Sequence, residues 1–139
     1  VGPPGKTDTA TLTALAARLG AARRVHIAAP AEAPPAHAVA NLFLRPSRLE
    51  TAPPPVATAL AAGLPALVTD TTPWSRLAQE NAGWSVAWDD FPAALRRTLA
   101  LAPEALATVG ASARELIRRE FDAAHSAARL LDFYRNLRS

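Results

Sequence analysis

Two stretches decide the fold class: Asn41-Leu42-Phe43-Leu44-Arg45-Pro46-Ser47 and Gly63-Leu64-Pro65-Ala66-Leu67-Val68-Thr69. Each holds a short apolar run bounded by turn-forming residues, and that length suits a strand buried on both faces better than a helix. Between them Pro53, Pro54 and Pro55 lead into an apolar segment, Val56–Ala62, with helical character that Gly63 closes. Two apolar strands joined by a helix make a βαβ unit, whose strands pair in parallel under helical cover.

Working outward, the pattern repeats. Pro73 stands where the first residue of a helix belongs, so a helix is expected over Trp74–Asn81, followed by a strand at Trp84–Trp88. From Phe91 on the chain reads as helical. Leu95 and Leu99 share one face, Pro103 opens a helix carrying Leu106, Val109, Ala113, Leu116 and Ile117, and a last helix starts near Asp122 with Leu130, Leu131, Tyr134 and Leu137 on one side. Toward the N-terminus, Asp8 is the expected N-cap of a helix with Leu12, Leu15 and Leu19, ended by Gly20. Val25-His26-Ile27 reads as a strand with His26 half-buried, and a short helix is expected over Ala36–Ala40. The whole is an α/β fold: a Rossmann-like parallel sheet flanked by helices, with extra C-terminal helices.

Composition sets the bounds. A chain of 139 residues, half of them hydrophobic, fits a single domain, read here as spanning 1–139. Its 13 prolines, about twice the usual ~5%, interrupt too often for a long coiled coil. No cysteine is present, which removes disulfides, thiolate metal sites and cysteine nucleophiles. The three histidines, His26, His37 and His125, have no metal-ligand spacing, so no metal is expected. The net charge of +3 comes with arginines scattered along helices (Arg96 and Arg97, Arg118 and Arg119), which reads as solvated helix faces. No nucleic-acid motif accompanies it. No apolar run is long enough to span a membrane. The chain opens on Val1 rather than Met, so a fragment of a longer protein is expected.

In an open parallel sheet, ligands bind beyond the carboxyl ends of the strands. Here those ends fall at Gly2–Lys6, Ala29–Pro34, Arg45–Pro55, Asp70–Trp74 and Asp89–Asp90, and all are expected to project from one rim. Gly2-Pro3-Pro4-Gly5-Lys6-Thr7 ends like a phosphate-binding loop, but its first glycine would precede Val1 and two prolines remove amide donors, so a plain turn is favoured. Asp89 and Asp90 are adjacent, which favours a surface turn over a working carboxylate pair. Trp74 and Trp84 read as core residues ahead of stacking platforms.

The segment Asn41–Trp84 closely resembles the C-terminal half of GT-B glycosyltransferases of the large group-1, GT4-like family. Arg45-Pro46-Ser47-Arg48-Leu49-Glu50, Ala62-Gly63-Leu64-Pro65-Ala66-Leu67-Val68-Thr69-Asp70 and Thr72-Pro73-Trp74-Ser75-Arg76-Leu77 carry the likeness, and the later helices follow the same plan. The resemblance implies a domain that binds a nucleotide-diphosphate sugar against an N-terminal acceptor-binding domain, without a metal or other cofactor. Transfer to an acceptor hydroxyl in polysaccharide or glycolipid synthesis would follow. It also implies cytoplasmic residence, with peripheral contact at the inner face of the membrane open to the family. Glu50 matches the carboxylate that contacts donor sugar hydroxyls and is the expected catalytic residue. Ser47, Arg48, Thr51, Thr58, Thr71, Thr72 and Trp74 make up the expected substrate-binding set, Thr58 standing where the family has a ribose-binding carboxylate. Thr51-Ala52-Pro53-Pro54-Pro55 replaces the family's Gly-rich stretch and costs it up to three amide donors. The alternative reading is a catalytically degenerate GT-B domain that acts as a binding or scaffold module.

Overall fold

The computed structural model describes residues 8–27, 36–48, 54–121 and 123–137. Contacts divide the chain into two compact units, Val1–Ala36 and His37–Ser139.

The first unit contains helix α1, Thr9–Arg18. The Asp8 carboxylate accepts the Thr11 N–H at 2.7 Å, which satisfies one of the donors a helix start leaves unpaired and draws the Asp8 pKa below its ordinary value. Gly20, at φ 66°, ends the helix in the expected way. The Gly20 N–H reaches the Ala17 carbonyl, and the Ala21 N–H the Ala16 carbonyl. Residues 25–27 are not in a strand, and His26 is exposed rather than half-buried. A three-residue alternation carries too little apolar area to order a strand without a paired neighbour.

The second unit is built on a three-stranded parallel sheet: β1 (Phe43–Arg45), β2 (Ala66–Thr69) and β3 (Gly83–Val86), in the order β1-β2-β3. Phe43 lies opposite Ala66, and Ala66 opposite Gly83. The expected βαβ unit is present, with α2 (Pro54–Ala61) between β1 and β2. Gly63, at φ 83°, closes α2 through Gly63 N–H to Leu60 O and Leu64 N–H to Ala59 O. A left-handed backbone here suits a residue without Cβ.

β2 is buried along its whole length, as the central strand of a sheet covered on both faces must be. Ala66 and Val68 face a cluster with Val56 and Leu60 of α2, Trp74, Leu77 and Ala82, and Ala113 and Leu116 of α4 (Pro103–Glu120). Leu67 faces the other side, against Phe91 and Ala94 of α3 (Phe91–Leu99) with Trp84, Val86 and Leu95 around them. The alternation is that of a pleated strand. Leu60, Leu67 and Leu77 are fully buried, each contributing about 1.5–3 kcal/mol of transfer free energy. Gly83 is required by close approach, since a Cβ there would come within 2.3 Å of the Ala66 carbonyl oxygen.

The helix expected over Trp74–Asn81 is realised as one 3₁₀ turn, Ser75–Leu77, followed by turns. Asn81, at φ 49°, stops it, with the Ala82 N–H returning to the Leu77 carbonyl. That is the helix-ending geometry asparagine tolerates, applied after barely one turn. Likewise the helix expected over 36–40 is a 3₁₀ turn at Ala36–Ala38.

Surface ion pairs tie this turn to α4. Glu80 meets Arg119 and Arg76, both at 3.0 Å, and Arg76 also reaches Glu120. The hydrogen bonds from Arg119 and then Arg76 hold the Glu80 carboxyl below its usual pKa. Arg114 donates to the Ala62 carbonyl at 2.8 Å, fastening α4 to the end of α2. The last helix, α5, runs Ala123–Asn136, close to its expected start. No helix among the described residues is long and apolar enough to cross a membrane.

Candidate functional site

The three strands are parallel, so their carboxyl ends open on one rim: residues 46–48 after β1, 70–73 after β2 and 87–89 after β3. Side chains from all three ends meet there.

Arg45–Val68 is the last paired position of β1 and β2, and past it the Ser47 N–H, next in line to face β2, meets a side chain instead of a backbone carbonyl. The Thr69 side chain takes over. Its hydroxyl accepts the Ser47 N–H at 3.1 Å and donates to the Ser47 carbonyl at 2.5 Å. The Thr71 hydroxyl lies 2.5 Å from the same carbonyl and 3.1 Å from Thr69 Oγ1. It has one proton, so it donates to one of these acceptors at a time, and the shorter contact is to Ser47. Thr72 turns back, its hydroxyl donating to the Thr69 carbonyl at 2.8 Å. On the other side, Asp70 N–H donates to Val86 O, which ties the β2 exit to β3. Arg48 reaches across the rim, its Cζ over the Trp88 ring at 4.2 Å from the centroid. Ring and guanidinium attract through the π-face, by about 0.5–1 kcal/mol at an exposed site.

Of the expected site residues, the structure therefore brings Ser47, Arg48 and Thr71 to one place, with Thr72 directly behind them. Glu50 and Thr51 lie outside the described residues, as do Lys6 with the Gly2–Thr7 turn and the Ala29–Pro34 loop. Thr58 is exposed on α2, where its hydroxyl donates to the Pro54 carbonyl one turn back, at 2.8 Å. Helix α2 opens on Pro54 and Pro55, so two of the amides that a helix start offers to an anion are missing. The Trp74 side chain belongs to the core. It is buried against Phe121, ring centroids 5.7 Å apart, and its Nε1 has no hydrogen-bond partner among the described residues. Trp84 packs beside Leu67 and Phe91. Asp89 and Asp90 sit in an exposed 3₁₀ turn, Trp88–Asp90, that leads into α3.

The sequence reading passed over two residues of this rim, Thr69 and Trp88. The signal for Thr69 was its place as the last residue of a fully apolar strand, where a buried hydroxyl needs a partner. Trp88 carried no such signal, because only the fold places it over the chain leaving β1.

Chemically, the rim offers hydroxyls, peptide groups, one guanidinium on an aromatic platform and the exposed carboxylates that follow β2 and β3. Such a set suits a polar, hydroxyl-bearing ligand. Among the described residues no group of three His, Asp or Glu side chains is placed to hold a metal ion.

These features define an α/β domain with a three-stranded parallel sheet between helices, compatible with a Rossmann-like fold. No known protein family, curated protein or solved structure matches the chain.

Proposed function

We propose that this chain is the donor-binding domain of a GT-B glycosyltransferase, which in its full protein moves a sugar from a nucleotide-diphosphate sugar to an acceptor hydroxyl. The observation that carries the reading is the meeting of Ser47, Arg48, Thr69 and Thr71 at the carboxyl ends of adjacent parallel strands. They lie within the segment whose sequence resembles that family. Ligands of open parallel sheets bind at such an edge.

In this reading Glu50 grips hydroxyls of the donor sugar, as a carboxylate that only accepts hydrogen bonds can. Arg48 supplies positive charge toward the leaving diphosphate, and Thr71 with the Ser47 peptide lines the sugar side. The acceptor hydroxyl arrives from an N-terminal partner domain, and catalysis rests on placing it against the anomeric carbon while the leaving group is stabilised. No metal is invoked. The setting is synthesis of cell-surface polysaccharide or glycolipid in the cytoplasm, at or near the inner face of the membrane.

A second reading is favoured by one observation: the Thr58 hydroxyl is engaged with Pro54, on a helix that begins with two prolines. A domain with a neutral residue at the ribose position and few amides for phosphate fits a non-catalytic binding or scaffold module.

Titration of the chain with UDP, GDP and their glucose and mannose conjugates, followed by amide NMR, separates the two. Shifts confined to residues 45–51, 58 and 69–72 support the donor site. No shift at millimolar nucleotide rejects it and favours the scaffold. In an active full-length parent, Glu50→Ala lowers turnover by about 10- to 1000-fold, the loss of roughly 1.4–4 kcal/mol from the transition state. Unchanged turnover removes Glu50 from the mechanism.

A further inference from the structure

We infer that Thr69 is the positioning residue of this rim: its buried hydroxyl fixes the backbone at Ser47 and thereby sets where Arg48 stands toward a bound nucleoside diphosphate. The ligand half of the inference rests on the donor-binding reading; the clamp itself does not.

The geometry is that of a side chain replacing a strand. β1 and β2 are paired through Arg45 and Val68. Past that position the backbone ladder gives way to a side-chain contact. Two residues past Arg45, both main-chain polar groups of Ser47 turn to a single atom. Ser47 N–H donates to Thr69 Oγ1, and Thr69 Oγ1 donates its only proton to Ser47 O. Donor and acceptor demands are met reciprocally, so neither group of Ser47 needs water. The hydroxyl that does this has no freedom of its own, since Thr69 is fully buried. A β-branched side chain also has few χ1 choices. Thr71 adds a second hydroxyl to the same Ser47 carbonyl from the turn that follows β2. The next residue is Arg48, whose guanidinium lies over Trp88 past the end of β3. The chain leaving β1 is thus held at two consecutive residues, by its backbone to β2 and by its side chain to the 3₁₀ turn that follows β3. A loop tethered in this way meets a ligand with its ordering cost already met, and the affinity gained is that of preorganisation.

Valine has nearly the shape of threonine without the hydroxyl, and serine has the hydroxyl without the methyl group. The full chain is therefore compared as wild type, Thr69→Val and Thr69→Ser, by hydrogen exchange at the Ser47 amide and by titration with UDP and GDP. In the wild type, Ser47 N–H is protected. Thr69→Val lowers that protection by about tenfold and weakens nucleotide binding by about 3- to 10-fold, the worth of one net hydrogen bond. Thr69→Ser stays within about twofold of wild type on both measures, a rescue that general loosening of the core would not give. Equal protection in Thr69→Val, or a freely exchanging Ser47 amide in the wild type, overturns the clamp. The wild-type measurement decides the matter even if the valine variant does not fold. Lost protection with unchanged nucleotide affinity overturns the positioning role and leaves the donor reading standing. A protected Ser47 with no nucleotide binding by the wild type overturns the donor reading, and the positioning role with it, and leaves the clamp.

Discussion

Replacing Gly110 with alanine sets helix propensity against packing, and the two predict opposite signs. Gly110 lies in the middle of α4, where exchange of glycine for alanine gains about 1 kcal/mol in an isolated helix. In the fold, however, a Cβ at this position would stand 2.1 Å from the Gly63 carbonyl oxygen, 3.1 Å from its carbon and 3.3 Å from Pro65 Cδ. An ordinary carbon-to-oxygen approach is about 3.3–3.6 Å, so α4 must withdraw from the α2–β2 turn by roughly 1 Å. The obstacle is backbone, which cannot rotate away as a side chain does. Overpacking of this kind costs about 1–3 kcal/mol, and the upper part of that range applies here. Subtracting the propensity gain leaves a net loss of about 1–2 kcal/mol. Urea unfolding followed by tryptophan fluorescence is a suitable assay, because Trp74, Trp84 and Trp88 all lie in the second unit and report on it alone. With a slope of about 2 kcal/mol per molar urea, the middle of the usual range, the midpoint falls by roughly 0.5–1 M. An alanine variant as stable as wild type, or more stable, would refute the close packing of α4 on the Gly63 turn.

Three further outcomes follow from the same structure. Leu67→Ala, which empties a fully buried position against Phe91 and Ala94, should cost about 2–5 kcal/mol in the same assay, and a loss under 1 kcal/mol would mean that the α3 face of the sheet is not packed as described. Glu80, whose pKa is held below the ordinary 4.5 by Arg119 and Arg76, adds stability above that pH and loses it as pH falls through the lowered value. Glu80→Gln should therefore be less stable than wild type at neutral pH and equal to it in strong acid, with the difference shrinking in high salt; a gap that is constant with pH contradicts the ion-pair account. Thr58→Glu restores a charged acceptor at the position read as ribose-binding and should tighten UDP or GDP binding, as charged acceptors hold hydroxyls more strongly; no gain in an isothermal titration would show that Thr58 does not face the ribose.

Much of the architecture was legible in residue order. The strands flanking α2 announced themselves as apolar runs cut off by Pro46 and Gly63, and α3, α4 and α5 by apolar residues at helical spacing. These signals are local, and the pairing of β1 with β2 follows from the helix between them. The segments that failed were short ones. Val25–Ile27 and Trp74–Asn81 each had the pattern of a regular element, but too few residues to outweigh what surrounded them, and Asn81 ended the second in a left-handed turn. At the rim, the loops were placed by strand direction alone, whereas the use of each side chain was not. The Trp74 side chain packs on Phe121, in keeping with its core reading, whereas Thr58, on a segment assigned to a ligand, is bonded to its own helix.

Composition and periodicity by themselves determined an α/β chain with a parallel sheet, because burial pattern and turn chemistry are written in neighbouring residues. Only the tertiary structure decided that Thr69 would hold Ser47, that Arg48 would lie on Trp88 and that Gly110 would admit no side chain. Those outcomes depend on atoms far apart in the chain meeting within a few ångströms, and no local pattern encodes such distances.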